Sequence, residues 1–334
     1  MENELFTGVL GDPRTDARVI NGFQIGEILP EAAVINWRKK GISEVVKYPV
    51  WDQAGSSACV AFSKAKQVSI RIYQMTGVWI DFSPASIYQL RANKPGGGMN
   101  IADANEIVNK TGVTLEALMK SQGLSEAEIN AVRRSKVADL FGKAIAEAVV
   151  RYLYIPIDID RIAQTIEAQK VVSLLIYGNY DEYSRMIPVV IDPSLTYANA
   201  PIKHEVVGVD YFLDGNGMKR IYINDSAHFG GLPVRELTQD FISRRCILAD
   251  ALDVFTFDPD VVAEKPHYIT GNTVSLQDSL KHYGTFPSNQ PSTGVFGPIT
   301  RKAVSDFQVR EGLHPTGTGA VGPLTDARLK VLYP

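Results

Sequence analysis

The sequence has few of the residues that would define a disulfide-rich, membrane-spanning or nucleic-acid-binding protein. Only two cysteines, Cys59 and Cys246, occur in 334 residues, so even one disulfide would use both. No apolar run approaches the roughly 18 residues of a membrane span, and the net charge of −3 comes without a basic block. Nucleic acid is therefore an unfavourable ligand. No cysteine and histidine residues have the spacing of a zinc site, and no metal or cofactor is predicted.

The chain also lacks the basic and then apolar order of a secretory signal at its start, Met-Glu-Asn-Glu-Leu-Phe. With so little cysteine, this predicts synthesis in a reducing cytoplasm. Two prolines and several charges after Phe257 predict a linker over residues 258–270. We therefore expect an N-terminal extension over 1–33, a larger domain over 34–257 and a small domain over 271–334, in a monomeric protein.

One segment, Trp51-Asp-Gln-Ala-Gly-Ser-Ser-Ala-Cys-Val-Ala-Phe-Ser63, places a cysteine at the start of a helical pattern. Apolar residues recur at intervals of three and four from Cys59 to Gly77, which predicts a helix with the cysteine on its first turn. The unpaired N–H groups and the dipole of a helix start favour a thiolate, so we expect the pKa of Cys59 to be lowered. Gln53 lies six residues upstream and is a candidate hydrogen-bond donor.

A candidate base, His204, opens an apolar strand pattern in the second half of the chain. A turn at residues 214–217 and a second strand that ends in Asn224 and Asp225 complete a predicted β-hairpin. A cysteine, a histidine and an orienting amide or carboxylate can then meet in space. Asn224 and Asp225 are also common turn residues, and this interpretation stays open. His228 is a second candidate base, although we expect an ordinary loop histidine.

Several segments lead from helix to strand in the middle of the chain. Ser125 and Glu128 have the spacing of a capping box, and apolar residues continue from there to Val149, which predicts helical structure. A further helix is predicted to open at residues 157–162, before a strand over 171–177.

These segments resemble the papain-like cysteine peptidases. Residues 53–63 are similar to the family's segment Gln-Gly-x-x-x-x-Cys-x-Ala-Phe-Ser, although Val60 stands where a tryptophan is usual. Similar blocks follow the family's order at residues 36–41, 82–90, 96–99 and 112–116. The resemblance covers roughly residues 34–256. It implies an α+β, two-lobed fold with a helical lobe and an antiparallel β-barrel-like lobe.

The resemblance also implies roles for individual residues. Cys59 would be the nucleophile and His204 the base, while Gln53 and the Cys59 N–H would stabilise an oxyanion. Gly96, Gly97 and Gly98 would form the glycine strip that pairs with substrate backbone, although a flexible turn after Pro95 is the simpler alternative.

The third catalytic member is where the sequence departs from that family. The family usually has an asparagine followed by Ser-Trp-Gly, whereas this chain has Asn224-Asp225-Ser226-Ala227-His228. Counting back from Ser226 assigns this role to Asp225, and Asn224 is kept as the alternative. Because strand side chains alternate, only one of the two faces the site. A carboxylate there can fix the tautomer of His204 and stabilise its imidazolium.

The end of the chain contains a doubled pattern, Gly-Pro-x-Thr, at residues 297–300 and 322–325. With Phe307-Gln308 between the two copies, it resembles the peptidoglycan-binding domain of wall hydrolases over about residues 270–334. The resemblance implies a three-helix module and peptidoglycan as a partner. We expect its apolar positions to form a small core rather than a binding surface; they are Leu276, Leu280, Val304, Phe307, Leu313 and Leu329.

Together, the two resemblances predict a cell-wall lysin of the phage endolysin type, which hydrolyses an amide in the peptide part of peptidoglycan. Endopeptidase and amidase activity both remain open. The alternatives are a papain-like protease that acts on proteins while anchored to the wall, and a non-catalytic wall-binding protein. The segment at residues 22–28 is a candidate to lie over the cleft.

Overall fold

The structure is a computed structural model. It describes residues 6–20, 35–77, 79–136, 138–139, 142, 146, 149–254, 273–294, 296–313, 317–319, 321 and 323–333. The predicted linker at 258–270 and the segment at 22–28 lie outside these residues.

The sheet of the larger domain is antiparallel except for the pairing of its first strand with its fourth strand. Its strands are β1 (Phe6–Thr7), β2 (Val149–Ile155), β3 (Val171–Gly178), β4 (Ile202–Leu213), β5 (Lys219–Asn224), β6 (Val234–Thr238) and β7 (Cys246–Val254). The hydrogen-bonded order is β2-β7-β3-β4-β5-β6, and β1 pairs in parallel with the start of β4. The predicted hairpin is β4 and β5, and Leu213 pairs with Lys219 beside its turn.

Helices lie on both faces of this sheet. They are α1 (Ala17–Ile20), α2 (Cys59–Thr76), α3 (Pro84–Tyr88), α4 (Ile101–Thr111), α5 (Glu126–Ala131), α6 (Ile159–Glu167), α7 (Tyr180–Tyr183) and α8 (Gln239–Arg245). Helix α2 begins at Cys59 and ends at Gly77, whose φ of 71° suits glycine. Both limits agree with the apolar periodicity. The observed mixture of helices and antiparallel strands confirms the α+β class.

The region after residue 124 only partly follows its sequence pattern. The capping box of Ser125 and Glu128 is present, but α5 ends at Ala131. Residues 136, 138–139, 142 and 146 are helical, as predicted, but Val149 begins β2 and pairs with Val254 of β7, so the helical prediction was wrong at Val149. Apolar residues fit either state, and pairing with a distant strand decided the outcome. Helix α6 and strand β3 lie where they were predicted.

The C-terminal module contains helices α9 (Thr273–Tyr283), α10 (Pro298–Arg310) and α11 (Pro323–Leu332). The predicted apolar residues form its core, with Leu313 packed partly buried against the others. The doubled motif has one repeated contact. The Gln277 Nε2 donates to Thr300 Oγ1 at 2.8 Å, and the Gln308 Nε2 donates to Thr325 Oγ1 at 2.9 Å. Each glutamine side chain therefore forms a hydrogen bond with a threonine in the first turn of the following helix.

Candidate active site

Cys59 is the first residue of α2, and its side chain is fully buried. The thiol makes a hydrogen bond with the backbone of Glu205, the residue after His204 on β4. The same strand is fastened to α2 by Ser63, whose Oγ donates to the Glu205 carbonyl at 2.9 Å. The fold therefore brings the cysteine helix against the strand that carries the histidine.

His204 pairs with Asp225, and both side chains are fully buried. The His204 Nε2 lies 2.7 Å from Asp225 Oδ1, which also accepts the Ala227 N–H at 2.8 Å. The neighbouring Asn224 turns away, with its Nδ2 3.4 Å from the Tyr48 carbonyl. Strand alternation at the end of β5 thus directs only the carboxylate towards the histidine.

Two aromatic rings enclose the imidazole of His204. The Phe229 ring lies edge-on to it with a centroid distance of 5.4 Å, and the Tyr183 ring lies at 6.1 Å. Asp225 is held on its other side by Arg235, whose Nη1 donates to Asp225 Oδ2. Burial opposes the charged form of Asp225, but the charges of His204 and Arg235 and the hydrogen bonds outweigh it and lower its pKa.

Gln53 connects the loop before α2 to Ser226, the residue after Asp225, by hydrogen bonds. Its backbone N–H donates to the Ser226 carbonyl at 2.9 Å, and its Oε1 accepts from Ser226 Oγ at 2.6 Å. The Nε2 donates to the Ser56 carbonyl at 2.7 Å, which uses one of its two N–H groups. The structure thus places Gln53 between the loop that leads to Cys59 and the end of the hairpin.

The cleft beside Cys59 contains a segment of the same chain. Phe6 and Thr7 pair with Ile202 and Lys203, directly before His204. Two residues further on, Val9 forms a parallel bridge with Met99 of the predicted glycine strip. Residues 6–10, which we call the cleft strand, therefore cross from one lobe to the other over the cysteine.

The contact at Cys59 is made by a glycine. A Cβ built on Gly8 would stand 2.3 Å from Cys59 Sγ and 3.2 Å from the Ser57 carbonyl oxygen. The Gly8 carbonyl accepts the Met99 N–H at 3.1 Å. Further along, Tyr197 donates to the Gly11 carbonyl at 2.8 Å, and Arg18 binds Asp103 of α4 at 2.8 Å. The extension is thus attached on both sides of Cys59.

The covered position explains why the expected lowering of the Cys59 pKa was wrong. Burial raises the pKa of the Cys59 thiol, and the hydrogen bond from the Glu205 backbone offsets only part of that effect. A helix start favours a thiolate when water or a cation can also reach it. In this arrangement burial removes water from the sulfur and disfavours the thiolate. This effect is larger than the stabilisation of the thiolate by the helix start.

The predicted glycine strip is a loop whose backbone carbonyls are held by side-chain hydrogen bonds. The Asn93 Nδ2 lies 3.2, 3.1 and 3.2 Å from the carbonyls of Gly96, Gly97 and Gly98. A Cβ on Gly97 would lie 3.1 Å from Ser57 Oγ, so the strip packs closely on the loop before Cys59. The neighbouring Met99 pairs its backbone with the cleft strand.

The sequence interpretation missed Arg235, Phe229 and Tyr183. One sequence signal could have indicated Arg235. It lies two residues before Leu237 in β6, so strand alternation places the arginine on the same buried face as the leucine. His228 lies in a left-handed conformation, with φ of 52°, directly before a short 3-10 turn. Cys246 is a buried core thiol, as predicted, and its Sγ lies 3.3 Å from the Leu248 carbonyl.

The described residues contain neither a candidate membrane span nor a candidate metal site. No helix among them is long and apolar enough to cross a membrane. Within the same ranges, no group of three or more His, Cys, Asp or Glu side chains is arranged to hold a metal ion.

Comparisons with known proteins identify the two parts of the chain. Residues 271–329 match the family described as "Putative peptidoglycan binding domain". Xylellain, a cysteine protease from Xylella fastidiosa, superposes with a TM-score of 0.51 at 15% identity, over 68% of this chain and 95% of that chain. Digestive procathepsin L 3 from the larval midgut of Tenebrio molitor superposes with a TM-score of 0.53 at 15% identity, over 75% and 78%. No curated protein matches the sequence significantly.

At this level of identity the structural likeness defines the fold. The protein has a papain-like fold followed by a peptidoglycan-binding domain, which confirms the predicted architecture.

Proposed function

We propose that this protein is a cell-wall lysin, a cysteine peptidase that hydrolyses an amide bond in the peptide part of peptidoglycan. The observation that supports it most is the buried His204–Asp225 pair on the strand against which helix α2 presents Cys59. The peptidoglycan-binding domain on the same chain supports the choice of substrate. Peptide and muramyl–alanine amides have the same carbonyl chemistry, so the proposal includes both endopeptidase and amidase action.

In the proposed reaction, the Cys59 sulfur attacks the amide carbonyl carbon while His204 takes the thiol proton. The tetrahedral intermediate breaks its carbon–nitrogen bond, and His204 returns the proton to the leaving amine. Water, deprotonated by His204, then hydrolyses the thioester and releases Cys59 and a carboxylic acid. Asp225 holds the Nε2 of His204 in a hydrogen bond. The other ring nitrogen, Nδ1, therefore exchanges the proton with the Cys59 sulfur.

The groups that stabilise the developing charge are the Cys59 backbone N–H and the second N–H of Gln53 Nε2. The Cys59 N–H has no intrahelical partner because it lies on the first turn of α2. Donors placed for an oxyanion typically lower the barrier by about 3 kcal/mol each. Gly96, Gly97 and Gly98 are proposed to line the substrate peptide, since no side chain of theirs blocks its approach.

The cleft strand must leave before a substrate can enter. Gly8 occupies the space over Cys59 Sγ, and Met99 already uses its backbone N–H on the Gly8 carbonyl. The arrangement with residues 6–10 in place is thus proposed to be inactive, and the wall-binding domain to bring the opened enzyme to a high local substrate concentration.

The endolysin setting, with cytoplasmic synthesis and action at the wall, is part of the proposal. It is supported by the two free thiols, which suit a reducing compartment, together with the wall-binding module. A papain-like protease of protein substrates is the second candidate, because the same fold is found in a structure described as a digestive procathepsin. A non-catalytic wall-binding protein is the third, favoured by the position of Gly8 over Cys59 and by burial, which raises the pKa of its thiol.

The test is mass spectrometry of soluble fragments released from purified sacculi by the Gly8→Ala protein and by the Gly8→Ala/Cys59→Ala protein. The Gly8→Ala change displaces the cleft strand, so that latency does not mask activity. New peptide amino termini made only when Cys59 is present would identify an endopeptidase and the bond that it cuts. Free stem peptides that begin at alanine would identify an amidase.

Denatured casein is the matched substrate for the second candidate. Cleavage of casein without release from sacculi would replace the lysin by a protein-directed protease. Binding of sacculi with no cleavage of either substrate, although Cys59 is open to alkylation, would contradict both and leave the wall-binding protein.

A further inference from the structure

Asp225 is a buried carboxylate that bridges a histidine and an arginine. Its Oδ1 faces His204 Nε2 at 2.7 Å, and its Oδ2 accepts from Arg235 Nη1. All three side chains are fully buried. A buried charge without a partner costs several kcal/mol, so the carboxylate must be neutralised by one of them.

Arg235 is held by more than Asp225. Its Nε donates to the Tyr183 carbonyl at 2.7 Å, its Nη1 to the Leu232 carbonyl at 2.9 Å, and its Nη2 to the Phe229 carbonyl. The guanidinium carbon also lies 4.3 Å from the centre of the Tyr183 ring. Tyr183 and Phe229 carry the rings that enclose His204. One side chain thus fixes the carboxylate and both rings around the imidazole.

The charges of Asp225 and Arg235 together affect how readily the His204 ring binds a proton. A buried carboxylate favours the protonated form of an imidazole beside it, most strongly when no other cation is near. A general base must both take and return a proton near its working pH. A permanent cation on the other oxygen removes this demand, because arginine does not lose its proton in proteins.

We propose that Arg235 is a positioning residue for catalysis, which neutralises Asp225 so that the carboxylate orients His204 without trapping it as an imidazolium. The inference rests on the proposed function, because it assigns His204 the role of base.

The other titratable groups near His204 belong to three elements. Cys59 approaches from α2 and Tyr183 from α7, and neither could replace the cation of Arg235, because a thiol and a phenol ionise only to anions. Glu205 follows His204 on β4 and points to the opposite face, where Lys64 binds it at 2.8 Å. Arg235 is thus the cation in contact with the Asp225 carboxylate on the side away from His204.

The experiment follows the His204 ring by nitrogen NMR in the full-length protein, with ¹⁵N-labelled histidine and the His204→Gln variant for assignment. The sequence has five histidines, so the spectrum is simple. In Arg235→Gln, we expect the pH midpoint of the His204 titration to rise by about one unit or more, the size expected of a nearby opposite charge. In Arg235→Lys, which keeps the charge but loses the planar fork, we expect it to stay near that of the wild type.

Rescue separates charge from structure. The Asp225→Asn/Arg235→Gln double variant has a neutral amide beside a neutral amide, so its midpoint is expected to return towards that of the wild type. Arg245→Gln is the matched control, because Arg245 is an equally buried arginine bound to Glu182 at 2.7 Å. Its loss is expected to lower stability without moving the His204 midpoint.

An unchanged midpoint in folded Arg235→Gln would overturn the inference, as would a shift of equal size in Arg245→Gln. If Arg235→Gln does not fold, Asp225→Asn is compared with the double variant. The uncompensated arginine of Asp225→Asn should then give the lower midpoint, and equal midpoints would overturn the inference. Sacculus digestion reports separately on the proposed function. Digestion without the midpoint shift contradicts the role of Arg235 alone, and the shift without digestion contradicts the reaction alone.

Discussion

Gly8 lies against Cys59 so closely that a Cβ at position 8 would stand 2.3 Å from the cysteine sulfur. No carbon atom tolerates that separation from a non-bonded sulfur. The candidate nucleophile is therefore covered by the backbone of its own chain, at a position where only glycine fits.

Gly8→Ala is predicted to displace the cleft strand. Overpacking typically costs about 1–3 kcal/mol, which corresponds to roughly a 5- to 150-fold increase in the population with an open cleft. The rate of Cys59 alkylation by iodoacetamide should rise by that factor, as measured by peptide mapping with Cys246 as the internal reference.

Gly55→Ala is the control for this substitution. Gly55 lies in the loop before Cys59, but a Cβ there would meet nothing within 4 Å. In the Gly55→Ala protein, the rate of Cys59 alkylation should equal that of the wild type. Equal rates in all three proteins would show that the Gly8 contact does not govern access to the thiol.

Asp225→Ala and Asn224→Ala should have very different effects on catalysis. Asp225 holds His204 at 2.7 Å, whereas Asn224 lies 3.4 Å from a carbonyl of another loop. Removing the orienting carboxylate should lower kcat/KM for sacculus digestion by about 10⁴-fold, the size known for the third member of a nucleophile triad. Asn224→Ala should lower it by less than about tenfold, because weak hydrogen bonds contribute only about 1 kcal/mol.

Both changes are made in the Gly8→Ala protein, and circular dichroism confirms that each variant is folded. A larger loss from Asn224→Ala than from Asp225→Ala would reverse the assignment of the third member.

The sequence was sufficient where the structure depends on local patterns. Helix α2 begins at Cys59 and ends at Gly77 because apolar spacing and a left-handed glycine specify both limits. The hairpin of β4 and β5 follows in the same way from alternation and a turn. Alternation also meant that either Asn224 or Asp225 would face the cleft, but it did not say which.

Long-range contacts could not be read from those patterns. The pairing of β1 with β4 joins segments that are far apart in the sequence, and nothing near Gly8 marks it as a neighbour of Cys59. Burial by that segment then reversed the effect expected of the helix dipole on the Cys59 pKa. Arg235 reaches Asp225 only through the fold of the loop between β5 and β6.

Lys64→Met should destabilise the larger domain strongly. The Lys64 Nζ lies 2.8 Å from Glu205 Oε1 and 2.6 Å from Asp250 Oδ2, and all three side chains are buried. Removing the ammonium leaves the buried Asp250 carboxylate uncompensated beside Glu205, which should cost about 3–5 kcal/mol. Urea unfolding followed by tryptophan fluorescence measures it, because all three tryptophans lie in the larger domain.

The control for Lys64→Met is Lys110→Met, which removes an exposed lysine paired with Glu106. Surface pairs contribute about 0–1 kcal/mol, so this variant should unfold almost as the wild type does. Similar losses in both variants would show that the buried position of Lys64 is unimportant.

Glu205→Gln should change how stability depends on pH. Burial raises the pKa of Glu205 to about 7, although Lys64 partly opposes this. Between pH 5 and 7 the folded protein therefore keeps a proton that the unfolded chain releases, so this group makes stability fall as the pH rises. At 1.4 kcal/mol per pKa unit, the wild type should lose about 2 kcal/mol more than Glu205→Gln across this window.

The measurement is the free energy of unfolding in urea for both proteins at pH 5, 6 and 7. Groups that titrate in the same way in both proteins cancel in the difference. The window ends at pH 7 because the pKa of Glu205 in the folded protein is about 7, so that its contribution changes little at higher pH. Parallel curves for the two proteins from pH 5 to 7 would show that Glu205 is already ionised in the folded state, with Lys64 fully neutralising it.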